Sequence, residues 1–178
     1  MKLAEGQTRD ADWRAAMNQM GEVPVLEWAG QRMSQSGAIL LWLTETHGQF
    51  AFDADQRFDA MRWLFFDNHR FTNDYAVHRR QYCFTPAPAH ESVMAFLRAR
   101  VEASFAIAEK HLSTRRFALG DRPTIVDFSI APPEETGFDI ATAYPAIDAW
   151  RKRIAALPGW KLPYDMMPIG GSPPMRAV

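Results

Sequence analysis

The chain has 178 residues, of which 47% are hydrophobic and 23% are charged. This balance is close to that of an average globular protein, so it argues against a disordered, collagen-like or fibrous chain. The formal net charge is -1, so we expect no nucleic-acid binding, because such binding draws on a basic surface.

Two further features concern the cellular compartment. Cys83 is the only cysteine, so no intramolecular disulfide can form, and a reducing cytoplasm is the expected location. The N-terminal sequence becomes polar after Leu3 and lacks the apolar segment of a secretion signal. No later window approaches about eighteen uninterrupted apolar residues, so we predict no membrane span and no membrane partner.

The first 48 residues have the pattern of a small α/β unit. Asp10 is a good helix N-cap, Ala29 and Gly30 form a turn between two extended runs, and Gly48 closes the last helix. In chain order, the predicted elements are a helix over 10–17, a strand over 23–28, a return strand over 31–33 and a helix over 37–46.

Residues 49–178 are predicted to form an all-α domain, so the domain boundary is placed between residues 48 and 49. Hydrophobic spacing predicts a long helix over 53–82, an antiparallel partner helix over 92–112 and a last helix over 144–157. On the second of these helices, the predicted inner face consists of Val93, Phe96, Leu97, Val101, Phe105 and Ala108.

Two short motifs in the α/β unit indicate a ligand site. In GEVPVL (21–26), Pro24 enters a strand, a frequent place for a cis peptide bond, and a cis bond would leave the backbone groups of Val23 facing outward for an extended peptide. In SQSGAI (34–39), Ser36 stands at a helix start, where free N–H groups attract a carboxylate, and Gln35 adds a side-chain amide. Each motif also has a simpler explanation, as a strand-edge proline and as helix caps.

A third motif, GDRPTIVDF (120–128), predicts a structural helix start. Thr124 is the expected N-cap, Asp127 completes a capping box, and Phe128 packs against Pro123 as a hydrophobic staple. This motif determines where a helix begins and contributes no catalytic or ligand-binding side chain.

With these three motifs in this order, the chain resembles the glutathione S-transferase family of the thioredoxin-like superfamily over nearly its whole length. GEVPVL followed by SQSGAI is similar to the glutathione-binding half of that family, and GDRPTIVDF is similar to the capped helix of its C-terminal domain. The resemblance implies a thioredoxin-like α/β N-terminal part and an all-α C-terminal helical bundle.

The same resemblance implies the ligand and its contacts. Glutathione would be the co-substrate, conjugated through its thiolate to a small hydrophobic electrophile, and the protein would be a homodimer. Val23, followed by Pro24, would hold the cysteinyl part of glutathione, and Gln35 and Ser36 would hold the γ-glutamyl end. The further residues suggested by the resemblance are Trp13, Arg14 or Gln19 for the glycyl carboxylate, and Phe65, Asn68, Arg70, Tyr75 and Arg79 for the electrophile pocket.

One departure from the family concerns catalysis. Members of the family begin with a strand and a helix that place a Tyr, Ser or Cys beside the glutathione sulfur, whereas this sequence starts within the second strand, at MKLAEG. The thioredoxin-like part is therefore expected to be incomplete, and the catalytic residue is unassigned, with Ser34 or Ser36 a remote replacement. Two hypotheses follow: a glutathione transferase, or a non-catalytic member that serves as a scaffold or protein-binding module.

The remaining reactive side chains indicate no second chemistry. The five histidines show no metal-site spacing with cysteine or carboxylates, so no metal is predicted. Cys83 lies between two aromatic residues near a predicted helix end, and this setting favours a buried, inert thiol over a nucleophile.

Overall fold

The computed structural model describes residues 7–81, 85, 89–131 and 137–166. It divides the chain into two compact units, Met1–Ala51 and Phe52–Val178, which are described separately below. The domain boundary between residues 48 and 49 stays a prediction. Cys83 and the end of the helix predicted to reach Tyr82 lie outside the described residues.

The first unit contains short helices and a hairpin. Asp10 caps the first α-helix as predicted, because its Oδ1 accepts the backbone N–H of Trp13 at 2.8 Å. The elements are a 3-10 turn at Gln7–Arg9, α1 (Ala11–Ala16), β1 (Val25–Trp28), β2 (Gln31–Ser34) and α2 (Ser36–His47).

The hairpin is antiparallel and its register is fixed by a two-residue turn. Val25 lies opposite Ser34, and Trp28 lies opposite Gln31. Ala29 and Gly30 form the predicted turn with φ values of 44° and 76°, and positive φ at both positions matches the twist of a hairpin. Helix α2 ends at Gly48, whose φ is 68° and whose N–H donates to the Thr44 carbonyl, which confirms the predicted stop.

The regular elements described in the second unit are all helices. Its α-helices are α3 (Arg57–Phe66), α4 (Thr72–Arg79), α5 (Glu91–Leu112), α6 (Ile125–Ile130), α7 (Ile140–Ala143), α8 (Pro145–Ala155) and α9 (Pro163–Met166). The predicted long helix is interrupted: a 3-10 turn occupies Ala54–Gln56, and a π-helical segment, Asp67–Phe71, separates α3 from α4. Neither α7 nor α9 was predicted.

The α3–α4 pair lies antiparallel to α5, as predicted. Contacts that advance along α3 and α4 move backward along α5. They are Trp63 with His111 (ring centroids 4.3 Å apart), Phe71 with Phe105 (5.4 Å) and Asp74 with Arg100 (Oδ1 to Nε, 2.9 Å).

The inner face of α5 was predicted only in part. Val101, Phe105 and Ala108 are fully buried, which confirms these positions. Val93 and Phe96 are 45% and 61% exposed, so their assignment to the core was wrong. Phe96 lies about 140° around the helix from Val101, and Val93 lies in the first turn of α5, about two turns before the first buried residue.

The helix start at α6 has the predicted capping box. The Thr124 N–H donates to Asp127 Oδ2 at 2.8 Å, and both residues are completely buried. Asp127 Oδ1 also accepts the backbone N–H of Ala118 at 2.7 Å and the Trp150 indole N–H at 2.8 Å. One carboxylate therefore joins α6, the preceding loop and α8.

Candidate functional site

The hairpin register brings the four predicted ligand residues to one place. Because Val25 pairs with Ser34, the residues just before β1 and just after β2 lie together at the open end of the hairpin. A side-chain hydrogen bond joins the two segments directly: Gln35 Nε2 donates to Glu22 Oε2 at 2.8 Å. Val23 and Pro24 on one side thus lie beside Gln35 and Ser36 on the other.

Val23 presents its backbone at this end of the hairpin. The Val23–Pro24 peptide bond is cis, which confirms that prediction, and Val23 is 40% exposed. Within the described residues, neither the N–H nor the C=O of Val23 forms a hydrogen bond. These two groups are free to pair with an extended ligand backbone.

Gln35 has an unusual backbone conformation. Its φ of 74° lies in a region that non-glycine residues adopt at a cost of about 1–3 kcal/mol, and such residues concentrate at binding sites. Its side chain forms no cap on α2 and bonds Glu22 instead, so helix capping does not account for Gln35. Sequence reasoning gave no indication of this strained conformation.

The N-terminus of α2 provides unpaired backbone donors. The first hydrogen bond of the helix runs from the Ile39 N–H to the Gln35 carbonyl at 3.0 Å, so the N–H groups of Ser36, Gly37 and Ala38 have no helical partner. These groups and the positive end of the helix dipole favour a carboxylate. Ser36, the first residue of the helix, is half-buried.

Glu22 belongs to this site, although the sequence analysis did not single it out. It is exposed, and its side chain is fixed by Gln35 thirteen positions further along the chain. Only the strand register brings these two residues together, so no local sequence signal could have identified Glu22. Its carboxylate makes the site bipolar: backbone N–H groups that favour an anion lie at the start of α2, and a negative charge lies next to them.

The suggested glycyl-carboxylate residues are engaged within their own loop. Arg14 donates to the carbonyls of Gln19 and Met20, each at 3.2 Å, and the Trp13 N–H is bound by Asp10. Arg14 therefore holds the loop that follows α1.

The five residues suggested for the electrophile pocket do not line one surface. Phe65 is 69% exposed, whereas Tyr75 is 4% exposed and stacks on Phe105 in the core, with the ring centroids 6.5 Å apart. The Asn68 side chain donates to the Leu64 carbonyl at 2.8 Å. A polar cavity of about 350 Å³ does exist in this unit, between Asp53–Gln56 and Leu119–Thr124, and it contains none of the five.

Burial shifts the pKa values of two titratable side chains in the helical unit. Burial raises the pKa of Asp67, while hydrogen bonds from Ser129 and Thr72 oppose the increase. Burial lowers the pKa of His78, and the Arg98 guanidinium adds to that effect. In the described ranges, no three His, Cys, Asp or Glu side chains are grouped as metal ligands. None of the helices there has the length and apolarity that crossing a bilayer requires.

Comparison with known proteins identifies the class. A family model of the glutathione S-transferase C-terminal domain matches residues 74–153. A glutathione S-transferase from Xanthobacter autotrophicus Py2 is 34% identical, with a TM-score of 0.78 over 87% of this chain and 78% of that one. A possible glutathione S-transferase from Rhodopseudomonas palustris is 26% identical, with a TM-score of 0.83 over 96% and 79%.

A glutathione transferase homolog from Lodderomyces elongisporus, solved with two glutathione molecules per subunit, shares the fold at 18% identity. Its TM-score is 0.77 over 89% of this chain and 81% of that one. A search of curated proteins finds no match. The fold is thus a thioredoxin-like α/β part with an all-α C-terminal domain, as predicted. The chain belongs to the glutathione S-transferase family.

Proposed function

We propose that the open end of the hairpin binds glutathione. The supporting observation is that Val23, Pro24, Gln35 and Ser36 lie together there, with free backbone groups on Val23 and unpaired N–H groups at the start of α2. The structure of the Lodderomyces elongisporus homolog, which contains glutathione, supports the choice of ligand.

Each part of glutathione has a chemical counterpart in this arrangement. The cysteinyl residue has a backbone N–H and C=O that can pair with those of Val23, as one strand pairs with another. The γ-glutamyl carboxylate can accept hydrogen bonds from the backbone N–H groups at the start of α2 and from the Ser36 hydroxyl. The γ-glutamyl ammonium can pair with Glu22, whose carboxylate Gln35 already holds.

The reaction that follows from this binding is thiolate conjugation. The glutathione thiol would release its proton to solvent, and the thiolate would form a C–S bond to an electrophilic carbon as the leaving group departs with its bonding electrons. The small hydrophobic electrophile, the homodimer and the cytoplasmic location belong to the same proposal. The catalytic hydrogen-bond donor is unassigned, so binding and conjugation need separate tests.

Binding is tested by calorimetric titration of the chain with glutathione. Ser36→Ala should weaken binding about tenfold, because a hydrogen bond to a charged group contributes roughly 1.5–3 kcal/mol and water recovers part of it. Ser113→Ala is the matched control, since Ser113 is an exposed serine at the end of another helix. Equal affinities for wild type and Ser36→Ala would refute the assigned site.

A second pair of variants tests the bipolar character of the site. Glu22→Gln should weaken glutathione but leave a derivative acetylated on its amino group unaffected, because that derivative has no ammonium to pair. Glu45→Gln, an exposed carboxylate on α2, is the control. Equal losses for both ligands would show that Glu22 acts only on the fold.

Conjugation is tested with an aryl chloride activated by nitro groups, followed by product absorbance. Turnover that saturates with glutathione supports the transferase hypothesis. Glutathione binding without turnover, across several electrophiles, would support the scaffold hypothesis.

A further inference from the structure

The thioether of Met20 lies at the open end of the hairpin, beside the proposed glutathione site. Its Sδ is 3.5 Å from Gln35 Nε2 and 3.9 Å from Ser34 Oγ, and both of these polar atoms are donors. Gln35 Nε2 carries two N–H groups and also donates to Glu22 Oε2 at 2.8 Å. One amide nitrogen therefore joins a sulfur and a carboxylate.

The loop before β1 holds Met20 and Glu22 in these positions. The Met20 N–H donates to Asn18 Oδ1 at 3.0 Å, and Asn18 Nδ2 donates to the Glu22 carbonyl at 2.9 Å. Arg14 Nη2 donates to the Met20 carbonyl at 3.2 Å. Because the backbone is held in this way, a change in the polarity or size of the Met20 side chain acts on Gln35.

The Met20 side chain is also open to oxidants, since 53% of it is exposed. A thioether has no proton to lose, so its reactivity toward a peroxide depends mainly on access to the sulfur. Met166, at 62%, is a matching exposed methionine in the helical unit. Met20 differs from Met166 in the contact that its sulfur makes with a candidate ligand residue.

We propose that Met20 is a reversible oxidation site that controls glutathione binding at the open end of the hairpin. The oxidant is a peroxide: Met20 Sδ attacks its terminal oxygen, the O–O bond breaks and an S–O bond forms. The departing oxygen takes the peroxide proton, so the sulfur is oxidised to a sulfoxide while the peroxide is reduced to water or an alcohol. This inference rests on the proposed function, because the quantity it controls is glutathione affinity.

Oxidation changes the hydrogen bonding of Gln35. A sulfoxide is larger than a thioether and replaces a weak acceptor with a strong one. The Gln35 amide, 3.5 Å from the sulfur, turns toward the new oxygen and away from Glu22. Glu22 then loses the donor that positions its carboxylate for the γ-glutamyl ammonium. We expect glutathione affinity to fall about tenfold, as when one hydrogen bond to a charged group is lost.

The first test is calorimetry with glutathione before and after treatment of the chain with hydrogen peroxide. The peroxide is removed before the titration, so that it does not oxidise the ligand, and peptide mass spectrometry identifies the methionines that gain oxygen. Wild type should lose affinity about tenfold as Met20 gains oxygen. Methionine sulfoxide reductase should restore the affinity, whereas dithiothreitol alone, which reduces an oxidised thiol, should not.

Two variants separate Met20 from the other oxidisable side chains. Met20→Leu keeps an apolar side chain of similar volume but has no sulfur. Its own affinity should be slightly weaker than that of wild type, because the contact with Gln35 is lost, and peroxide should not change it further. Met166→Leu removes an exposed methionine of the helical unit and should stay as sensitive to peroxide as wild type.

A second readout does not require glutathione. In a proton–nitrogen correlation spectrum, the side-chain amide resonances of Gln35 should shift when wild type is oxidised and should stay in place in peroxide-treated Met20→Leu. A structural role for Met20 alone would not produce a shift that the reductase reverses. If untreated wild type bound no glutathione, the proposed function would fail, and these resonances would decide the oxidation site on their own.

Three results would overturn the inference. Peroxide could oxidise Met166 and leave Met20 intact. A Met20 sulfoxide could form without changing glutathione affinity or the Gln35 resonances. Finally, peroxide-treated Met20→Leu could lose as much affinity as wild type, which would place the sensitive group elsewhere in the chain. In each case untreated wild type would still bind glutathione, so the proposed function would stand.

Discussion

Asp127 offers the sharpest test of how the helical unit is held together. Its side chain accepts the N–H groups of Ala118 (2.7 Å), Thr124 (2.8 Å) and the Trp150 indole (2.8 Å), and Thr124 Oγ1 lies 3.2 Å away. All four residues are at most 1% exposed. Water cannot replace the carboxylate without opening the core.

The expected loss of stability follows from these donors. Asp127→Ala leaves three buried N–H groups without an acceptor, each at a cost of about 1–3 kcal/mol, so we expect a loss of about 4 kcal/mol or more. This is a large part of the roughly 5–15 kcal/mol typical of a folded domain. Asp127→Asn keeps the volume and one acceptor oxygen but points an amide donor at other donors, and should cost about 2 kcal/mol.

Urea unfolding followed by circular dichroism measures these losses, with the indole N–H resonance of Trp150 reporting its own hydrogen bond. Asp139→Asn is the control, because Asp139 is an exposed cap that accepts the Thr142 N–H at 3.1 Å. Asp139→Asn should lower the free energy of unfolding by about 1 kcal/mol or less. If Asp127→Asn cost no more than this control, the buried network would not stabilise the unit as described.

Three further predictions concern other parts of the fold. Glu109 accepts hydrogen bonds from the N–H groups of Ala146 and Ile147, both at 2.9 Å, so Glu109→Gln should lower the free energy of unfolding by about 1–2 kcal/mol. Glu102→Gln, which removes one partner of an exposed ion pair, should leave the free energy of unfolding almost unchanged, and equal effects of the two variants in urea would contradict this. Burial raises the pKa of Asp67 above its usual 3.8, so the folded state favours the protonated form, and the stabilisation present below that pH is lost as the pH rises through the folded-state pKa. Urea titrations should therefore show wild type losing stability relative to Asp67→Asn as the pH rises above 3.8, and a difference that does not change with pH would refute the assignment. A Cβ on Gly21, which has φ +70°, would lie 2.7 Å from the Thr8 carbonyl oxygen, so Gly21→Ala should lower the thermal midpoint more than Gly30→Ala, whose Cβ would meet nothing within 4 Å.

Features that depend on neighbouring residues could be predicted from the sequence. The Asp10 cap, the Ala29–Gly30 turn, the stop at Gly48 and the capping box at Thr124 each involve residues at most four positions apart. Local hydrogen bonds and permitted φ values determine such features, so a few residue types suffice to identify them.

Individual contacts between distant residues could not be predicted, although the antiparallel packing of the helices was. Asp67, which begins the π-helical segment, is bonded to Ser129 on α6 at 2.5 Å, 62 positions away. Glu109 caps α8 from 37 positions earlier. In the candidate site, the motifs predicted Val23, Pro24, Gln35 and Ser36 individually. Glu22 emerges only when the hairpin register sets it beside Gln35.

The central claim is that the open end of the hairpin binds glutathione, and a calorimetric titration at neutral pH tests it most directly. The thiolate absorbance of bound glutathione should be recorded in the same sample. We expect saturable binding at one site per chain that Ser36→Ala weakens about tenfold and Ser113→Ala does not, with thiolate absorbance if the chain also activates the thiol. A folded wild-type chain that binds no glutathione would contradict the claim.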